Sequence, residues 1–239
     1  MPAHAAGFTT FSFDTQVDGN DPTRDIWLEG VLTEGGTQIN QFKVVNDAII
    51  RENTISKGTQ LGPGSSDAGD NASGTVNELP SNSDVVASLG NLNLNNIIDT
   101  EDKKGRSVFD IFFEQSANSF FFFERGLNSD LHVEALDAAG NLIAGIDAFE
   151  ITRGLWEQAG YSIDTTEILG AQPVGSFGMK FNQDIAGLRI SSFGIADNGP
   201  DYKIVAAKTP EPATAAALGL VAGSMALLRR RASRTSSEA

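Results

Sequence analysis

Apolar and polar positions alternate through most of the first fifty residues. In an extended chain Phe8, Thr10 and Ser12 share one face, and Thr9, Phe11 and Phe13 fall mostly on the other. Ile26, Leu28 and Val31-Leu32 follow, then Ile39, Phe42 and Val44-Val45. Two clusters, Asp18-Gly19-Asn20-Asp21-Pro22 and Glu34-Gly35-Gly36, supply turn chemistry between the runs. Residues 44–50 fit either a strand or the start of a short helix, because periodicity does not separate the two over so short a run.

Residues 56–84 break the pattern. Gly, Ser, Asn, Asp and Pro crowd this stretch, and its few apolar side chains do not offset the entropy of ordering it. It reads as a long mobile surface loop inside one domain, or as a linker between two. Regular alternation resumes at Val85. Residues 108–113 and 120–123 are dense apolar runs separated by the polar stretch 114–119, and read as two core strands with a loop between them. Four adjacent Phe, 120–123, would send two rings to each side of a strand. Residues 131–136 and 142–146 flank a turn at 137–141, a hairpin pattern. Trp156, Tyr161 and Ile163 precede a further candidate, and residues 177–181, 188–190 and 202–206 supply three more. Helical periodicity is scarce. The expected fold over residues 8–208 is all-β, an antiparallel two-sheet sandwich of jelly-roll-like form.

The end of the chain differs. Thr209-Pro210-Glu211-Pro212 is extended, since each Pro restricts itself and its predecessor. The uncharged residues 213–228 follow and predict a single hydrophobic helix about 24 Å long, against a hydrocarbon core of about 30 Å. Arg229-Arg230-Arg231 come directly after. Their charge would hold that end in the cytoplasm, with long side chains snorkelling to cover the length deficit. Gly219 and Gly223 have the spacing that lets another helix approach closely, a spacing that ordinary Ala/Gly composition also produces.

Charge sharpens the division. Residues 1–208 carry 29 acidic and 13 basic side chains, a net of −16, whereas the last eleven residues are basic. Such a body repels a phosphate backbone, which disfavours nucleic acid as a partner. There is no Cys, which removes disulfides, thiolate nucleophiles and Cys-ligated zinc, and only two His are present, His4 and His132. At the start, Ala3-His4-Ala5 before Ala6-Gly7 reads like the A-x-A end of a signal peptide. Residues 1–7 are thus expected to be a signal-peptide remnant, with the mature chain beginning near Ala6 and an apolar run encoded upstream, or a disordered start whose small residues match the motif by chance.

The order of Pro210-Glu211-Pro212, a short apolar helix and an Arg cluster resembles the PEP-CTERM sorting signal, over residues 209 to about 234. That resemblance implies export, recognition of the tripeptide by an exosortase-type membrane protease, removal of the tail, and display at the cell surface or in the extracellular matrix. Within the body, Glu124-Arg125-Gly126-Leu127-Asn128-Ser129-Asp130-Leu131, Ala159-Gly160-Tyr161-Ser162-Ile163-Asp164-Thr165, Gln172-Pro173-Val174-Gly175-Ser176 and Asn198-Gly199-Pro200-Asp201-Tyr202-Lys203 resemble a family of exosortase-dependent surface proteins. This second resemblance implies a location and a domain type rather than a reaction.

Candidate chemistry in the body is sparse. Trp27, Trp156, Tyr161 and Tyr202 pair an apolar ring with a polar edge, as a sugar platform in an extracellular polysaccharide would require. Asp18, Asn20 and Asp21 share one turn, and Asp197, Asn198 and Asp201 another; both offer oxygen ligands to Ca²⁺, without EF-hand spacing. Ordinary Asx-turn chemistry accounts for the same residues. His132 lies beside Glu134 on an alternating strand, and Asp164 with Glu167 is an acidic pair of the kind glycosidases use. No nucleotide-binding or zincin motif is present. The expectation is a surface protein of structural or adhesive role, not an enzyme; the alternative is a carbohydrate- or calcium-binding module.

Overall fold

The computed structural model describes residues 7–54, 79–100, 105–165 and 170–208, and the backbone of 65–67 and 76–77. These residues are mostly β-strand in antiparallel sheets, with one short α-helix. In chain order the strands are β1 (Phe8–Phe11), β2 (Phe13–Asp18), β3 (Trp27–Thr33), β4 (Gln38–Ile39), β5 (Val45–Asn53), β6 (Ser65–Asp67) and β7 (Val76–Asn77). Helix α1 (Asn82–Leu89) follows, then β8 (Ile97–Asp99), β9 (Ser107–Arg125), β10 (Leu131–Leu136), β11 (Phe149–Ile151), β12 (Glu157–Ile163), β13 (Gln172–Ser192) and β14 (Tyr202–Ala207). The expected tail helix, the tripeptide 210–212, the arginines 229–231 and the start through residue 6 lie outside the described residues, as does most of 56–81. The described residues contain no helix long and apolar enough to cross a membrane.

Two strands organise the body. β9 runs for 19 residues and β13 for 21, and they pair with each other almost end to end. The sequence expects a loop at 114–119 and separate strands at 177–181 and 188–190. The polar residues there instead mark a bend: residues 114–116 and 182–184 are exposed, while pairing continues with register shifts between Lys180, Ile185 and Gly187. Their polarity reports contact with water, not a break in pairing. An irregularity of this kind also exchanges the two faces of a strand. Before the bend Phe109, Ile111 and Phe113 point into the main core; after it Phe120 and Phe122 do.

The bend divides the large sheet into two arms. The outer arm has the order β11-β10-β13-β9-β5, and the inner arm carries β1 and β12 on β13, then β9-β14-β8-β6-β7. Ring contacts tie the arms across the core: Phe149 of β11 stacks on Phe177 of β13 at 5.7 Å, and meets Phe8 of β1 edge-on at 5.2 Å. A separate sheet, β2-β3-β4, covers the other face of the inner arm, where Phe13 packs edge-on against Phe121 at 5.1 Å and Phe123 at 5.8 Å. The inner arm is therefore buried on both faces. All four rings of 120–123 are enclosed and alternate between the two cores, as the alternation predicts.

Of the two readings open for residues 44–50, the strand forms, from Val45 onward. One further expectation is corrected in part. The hairpin turn at 137–141 forms, but only Leu142 bridges back to Leu136, and β11 supplies the strand that pairs with β10. Helix α1 begins within the stretch read as a mobile loop. Ser81 accepts from the Asp84 N–H, and the Asp84 carboxylate accepts from the Ser81 N–H, a capping box that satisfies orphan donors of the first turn. Val85 and Leu89 then enter the main core.

Candidate functional site

The outer arm buries one face and leaves the other open. Strand alternation puts Asp110 and Phe112 of β9, Arg189 of β13, Arg51 of β5 and Glu134 of β10 on the side away from the core residues Phe109, Ile111, Leu188 and Ile50. Arg189 sits opposite Asp110 on one neighbour and opposite Glu134 on the other.

Asp110 is fully buried beneath two guanidiniums. Its Oδ1 accepts from Arg189 Nε at 2.6 Å, and its Oδ2 accepts from Arg189 Nη2 at 3.0 Å and Arg51 Nε at 2.6 Å. The fork on Arg189 fixes the plane of that side chain, and the shared carboxylate fixes Arg51 beside it. The hydrogen bond to Asp110, with Glu134 nearby, holds the Arg189 guanidinium above its usual range despite partial burial.

These side chains floor a groove of about 730 Å³. The turn 137–141 forms one wall. The Asp137 carboxylate accepts from the N–H groups of Ala139 and Asn141, and Gly140 takes a left-handed φ of +79°. A Cβ on Gly140 would lie 3.4 Å from Arg51 Nη2, so the backbone passes close over the arginine. Leu142, at the end of this wall, is half exposed. Opposite, Arg106 pairs with Glu52 at 3.3 Å and lies over the Phe193 ring at 4.9 Å. Three guanidiniums (Arg51, Arg106, Arg189) thus face three carboxylates (Glu52, Asp110, Glu134). The groove is polar, rich in directional donors and acceptors, and balanced in formal charge.

The residues singled out in the sequence do not converge on this groove. Trp156, Tyr161 and Tyr202 are 7%, 6% and 1% exposed, and the sugar-platform reading of these three is corrected: their amphipathic rings serve packing. The Trp156 Nε1–H donates to the Ser129 carbonyl at 2.8 Å, while the Tyr161 hydroxyl has no hydrogen-bond partner. Only Trp27 keeps about half its surface open, beside a backbone bridge to Asn93.

The acidic turns are already engaged. The Asp21 carboxylate accepts from the N–H and hydroxyl of Thr23, an Asx turn that lowers its pKa, and Asp18 and Asn20 stay exposed beside it. Asp197 accepts from the Phe193 N–H at 2.6 Å and meets His132 Nε2 at 3.3 Å, which raises the His132 pKa. Asn198, at a φ of 60°, donates from its amide to the Asn128 carbonyl. Asp164 accepts from the Gly170 N–H, and Glu167 lies outside the described residues. Among the described residues no three His, Asp or Glu side chains form a metal-holding group.

Asp201 belongs instead to a buried acidic cluster. Its carboxylate accepts from the Thr100 N–H at 3.2 Å and lies beside Arg125 at 3.6 Å, near Asp99 and Glu124. Burial raises the Glu124 carboxyl to about 8. The Ser129 hydroxyl and the N–H groups of Leu127 and Asn128 pull it the other way, yet neither Glu124 oxygen closes a full hydrogen bond. Burial likewise raises Asp201, and the neighbouring Glu124 charge adds to the effect. Two residues further on, Lys203 is enclosed and donates to the Ser88 carbonyl at 2.6 Å and Asn91 Oδ1 at 3.1 Å; burial lowers its pKa.

Sequence reasoning did not single out Arg51, Asp110 and Arg189. The signal was one charge inside an otherwise apolar run, acidic in 108–113 and basic in 188–190, which adjacent strands can pair. Comparison with known proteins adds no relative: no family model matches the chain, and neither a curated protein nor a solved structure matches it.

Proposed function

We propose that this chain is an exported cell-surface or extracellular-matrix protein with a structural or adhesive role, sorted through its C-terminal tail, and that its body holds an extracellular polysaccharide. The body is read as a jelly-roll-like sandwich. The sorting reading is carried by one observation, the order of Pro210-Glu211-Pro212, an uncharged sixteen-residue stretch and Arg229-Arg230-Arg231. An exosortase-type membrane protease is the implied partner: the extended tripeptide is its recognition site, residues 213–228 dock in the membrane, and the arginines set orientation. The acidic body then lies outside the cytoplasm. The adhesive reading is supported by the open outer-arm face with its pinned Arg51-Asp110-Arg189 array. Calcium stays a weaker second reading, because the carboxylates of Asp21, Asp197 and Asp201 already have partners within the protein.

Replacing Glu211 with Ala in the native host tests the sorting step. The expected result is an uncleaved tail, seen as a higher intact mass, with loss of surface display. Unchanged mature mass and display would count against this function.

A further inference from the structure

We infer that the outer-arm groove selects a neutral, polyhydroxylated glycan and rejects polyanionic ones. This rests on the proposal that the groove is the polysaccharide site, and adds the class of sugar.

The argument starts from charge. A site for uronate, sulfate or phosphate groups needs cations left over after internal pairing. Here none is left over. Arg189 and Arg51 are both bound to Asp110, Glu134 stands opposite Arg189, and Arg106 is paired with Glu52. Around the groove lies a body of net −16, whose field repels a polyanion before contact.

Hydrogen-bonding capacity points the same way. Arg51 commits its Nε to Asp110, and Arg189 its Nε and Nη2, which leaves further guanidinium N–H donors on both side chains. Glu134 supplies acceptors and Asn141 supplies both kinds. Vicinal hydroxyls of a hexose each donate and accept, so they match a mixed, planar array that holds its orientation without a ligand. Because Asp110 is fully buried and fixes both guanidiniums, little side-chain freedom is lost on binding. Half-exposed Leu142 on one wall and Val108 in the floor offer the apolar contact that the C–H face of a sugar ring requires. A volume of about 730 Å³ lies within the usual span of small-ligand sites, so a short stretch of a longer chain fits it.

The test titrates the purified chain with neutral gluco- and manno-oligosaccharides and with oligogalacturonates of the same length, by calorimetry. Three variants accompany it, each checked for its melting transition: Arg51→Ala, Asn141→Ala at the rim, and Glu134→Gln, which leaves one positive charge unbalanced. The expected result is binding of neutral sugars, weakened about tenfold or more by Arg51→Ala or Asn141→Ala. Oligogalacturonate should not bind the parent chain but should gain affinity in Glu134→Gln. Tighter binding of oligogalacturonate to the parent chain, lost in Arg51→Ala, would overturn the neutral-sugar inference and keep the groove as a glycan site. Absence of all glycan binding, or binding unaffected by both Arg51→Ala and Asn141→Ala, would overturn the groove reading along with it.

Discussion

Tyr161 illustrates how little a residue type says before its surroundings are known. Its ring packs in the second core, 6.3 Å from the Phe123 ring, and its hydroxyl is buried without a hydrogen-bond partner. Burial pushes the phenol well above its usual range. An unpaired buried hydroxyl costs about 1–3 kcal/mol, and removing it leaves the packing intact. Tyr161→Phe is therefore expected to stabilise the protein, with a melting temperature higher by about 2–4 °C per kcal/mol for a body of this size. A lower melting temperature would mean that the hydroxyl has a partner, such as ordered water. From sequence alone Tyr161 is a sugar-platform candidate, because an aromatic with a polar edge suits a wet surface. Nothing in its neighbourhood reveals that β2-β3-β4 will cover it. Asp110 is the converse: its charge inside an apolar run was visible, but its partners Arg51 and Arg189 lie 59 and 79 residues away, and only the strand pairing brings them together.

At the level of elements, the legible parts were those fixed by local chemistry. The turn at 137–141 and the alternation of Phe120–Phe123 were both readable, because each depends on neighbours within a few residues. The capping box of α1 is equally local, yet the stretch that holds it reads as a mobile loop. Ser81, Asp84 and the apolar Val85-Val86 pair stand in sequence as the signature requires, although the surrounding Gly, Ser and Asn hid it. This cap carries a prediction. Ser81→Ala removes an acceptor for the Asp84 N–H, and the expected loss is about 1 kcal/mol, read as a lower urea midpoint with an unchanged slope. Amide exchange should rise in the first turn of α1, while Leu89, near the end held by Lys203, should keep its protection. Uniform loss of protection along α1 would show instead that the helix opens as one unit. What could not be read was continuity. The bend in β9 and β13 looks like a loop in sequence because exposed polar residues accompany both, and only the long-range register separates them.

For the molecule as a whole, the ionisable groups set a stability profile that the net charge alone does not give. Glu124 moves from 4.5 to about 8 on folding, and Asp201 is also raised from 3.8, so both contribute most when the pH is below their unfolded values. That contribution declines as pH rises toward the folded values, at about 1.4 kcal/mol per pH unit for each group while the difference in protonation is complete. His132, raised from 6.5 by the hydrogen bond to Asp197, has its contribution fully present below 6.5 and loses it as pH rises through its folded value. Lys203 runs the other way: lowered from 10.5 by burial, it favours the folded state increasingly as pH rises toward 10.5. Two carboxyls and an imidazole outweigh one amine, so the slope from pH 6 to about 8 is downward. On the acid side Asp130, lowered from 3.8 chiefly by its hydrogen bond to Arg153, loses its contribution as pH falls through its folded value. The expected summit lies near pH 4, where the acid limb ends and the descending limb begins, and thermal unfolding between pH 4 and 8 should give a higher midpoint at pH 5 than at pH 8. Glu124→Gln, which keeps the shape and removes the charge, should flatten the descending limb and leave the acid limb in place. A midpoint that climbs steadily to pH 8 in the parent chain would show that the buried carboxyls are not held protonated by the fold, and the cluster at the ends of β8, β9 and β14 would then need a cation or a water that compensates their charge.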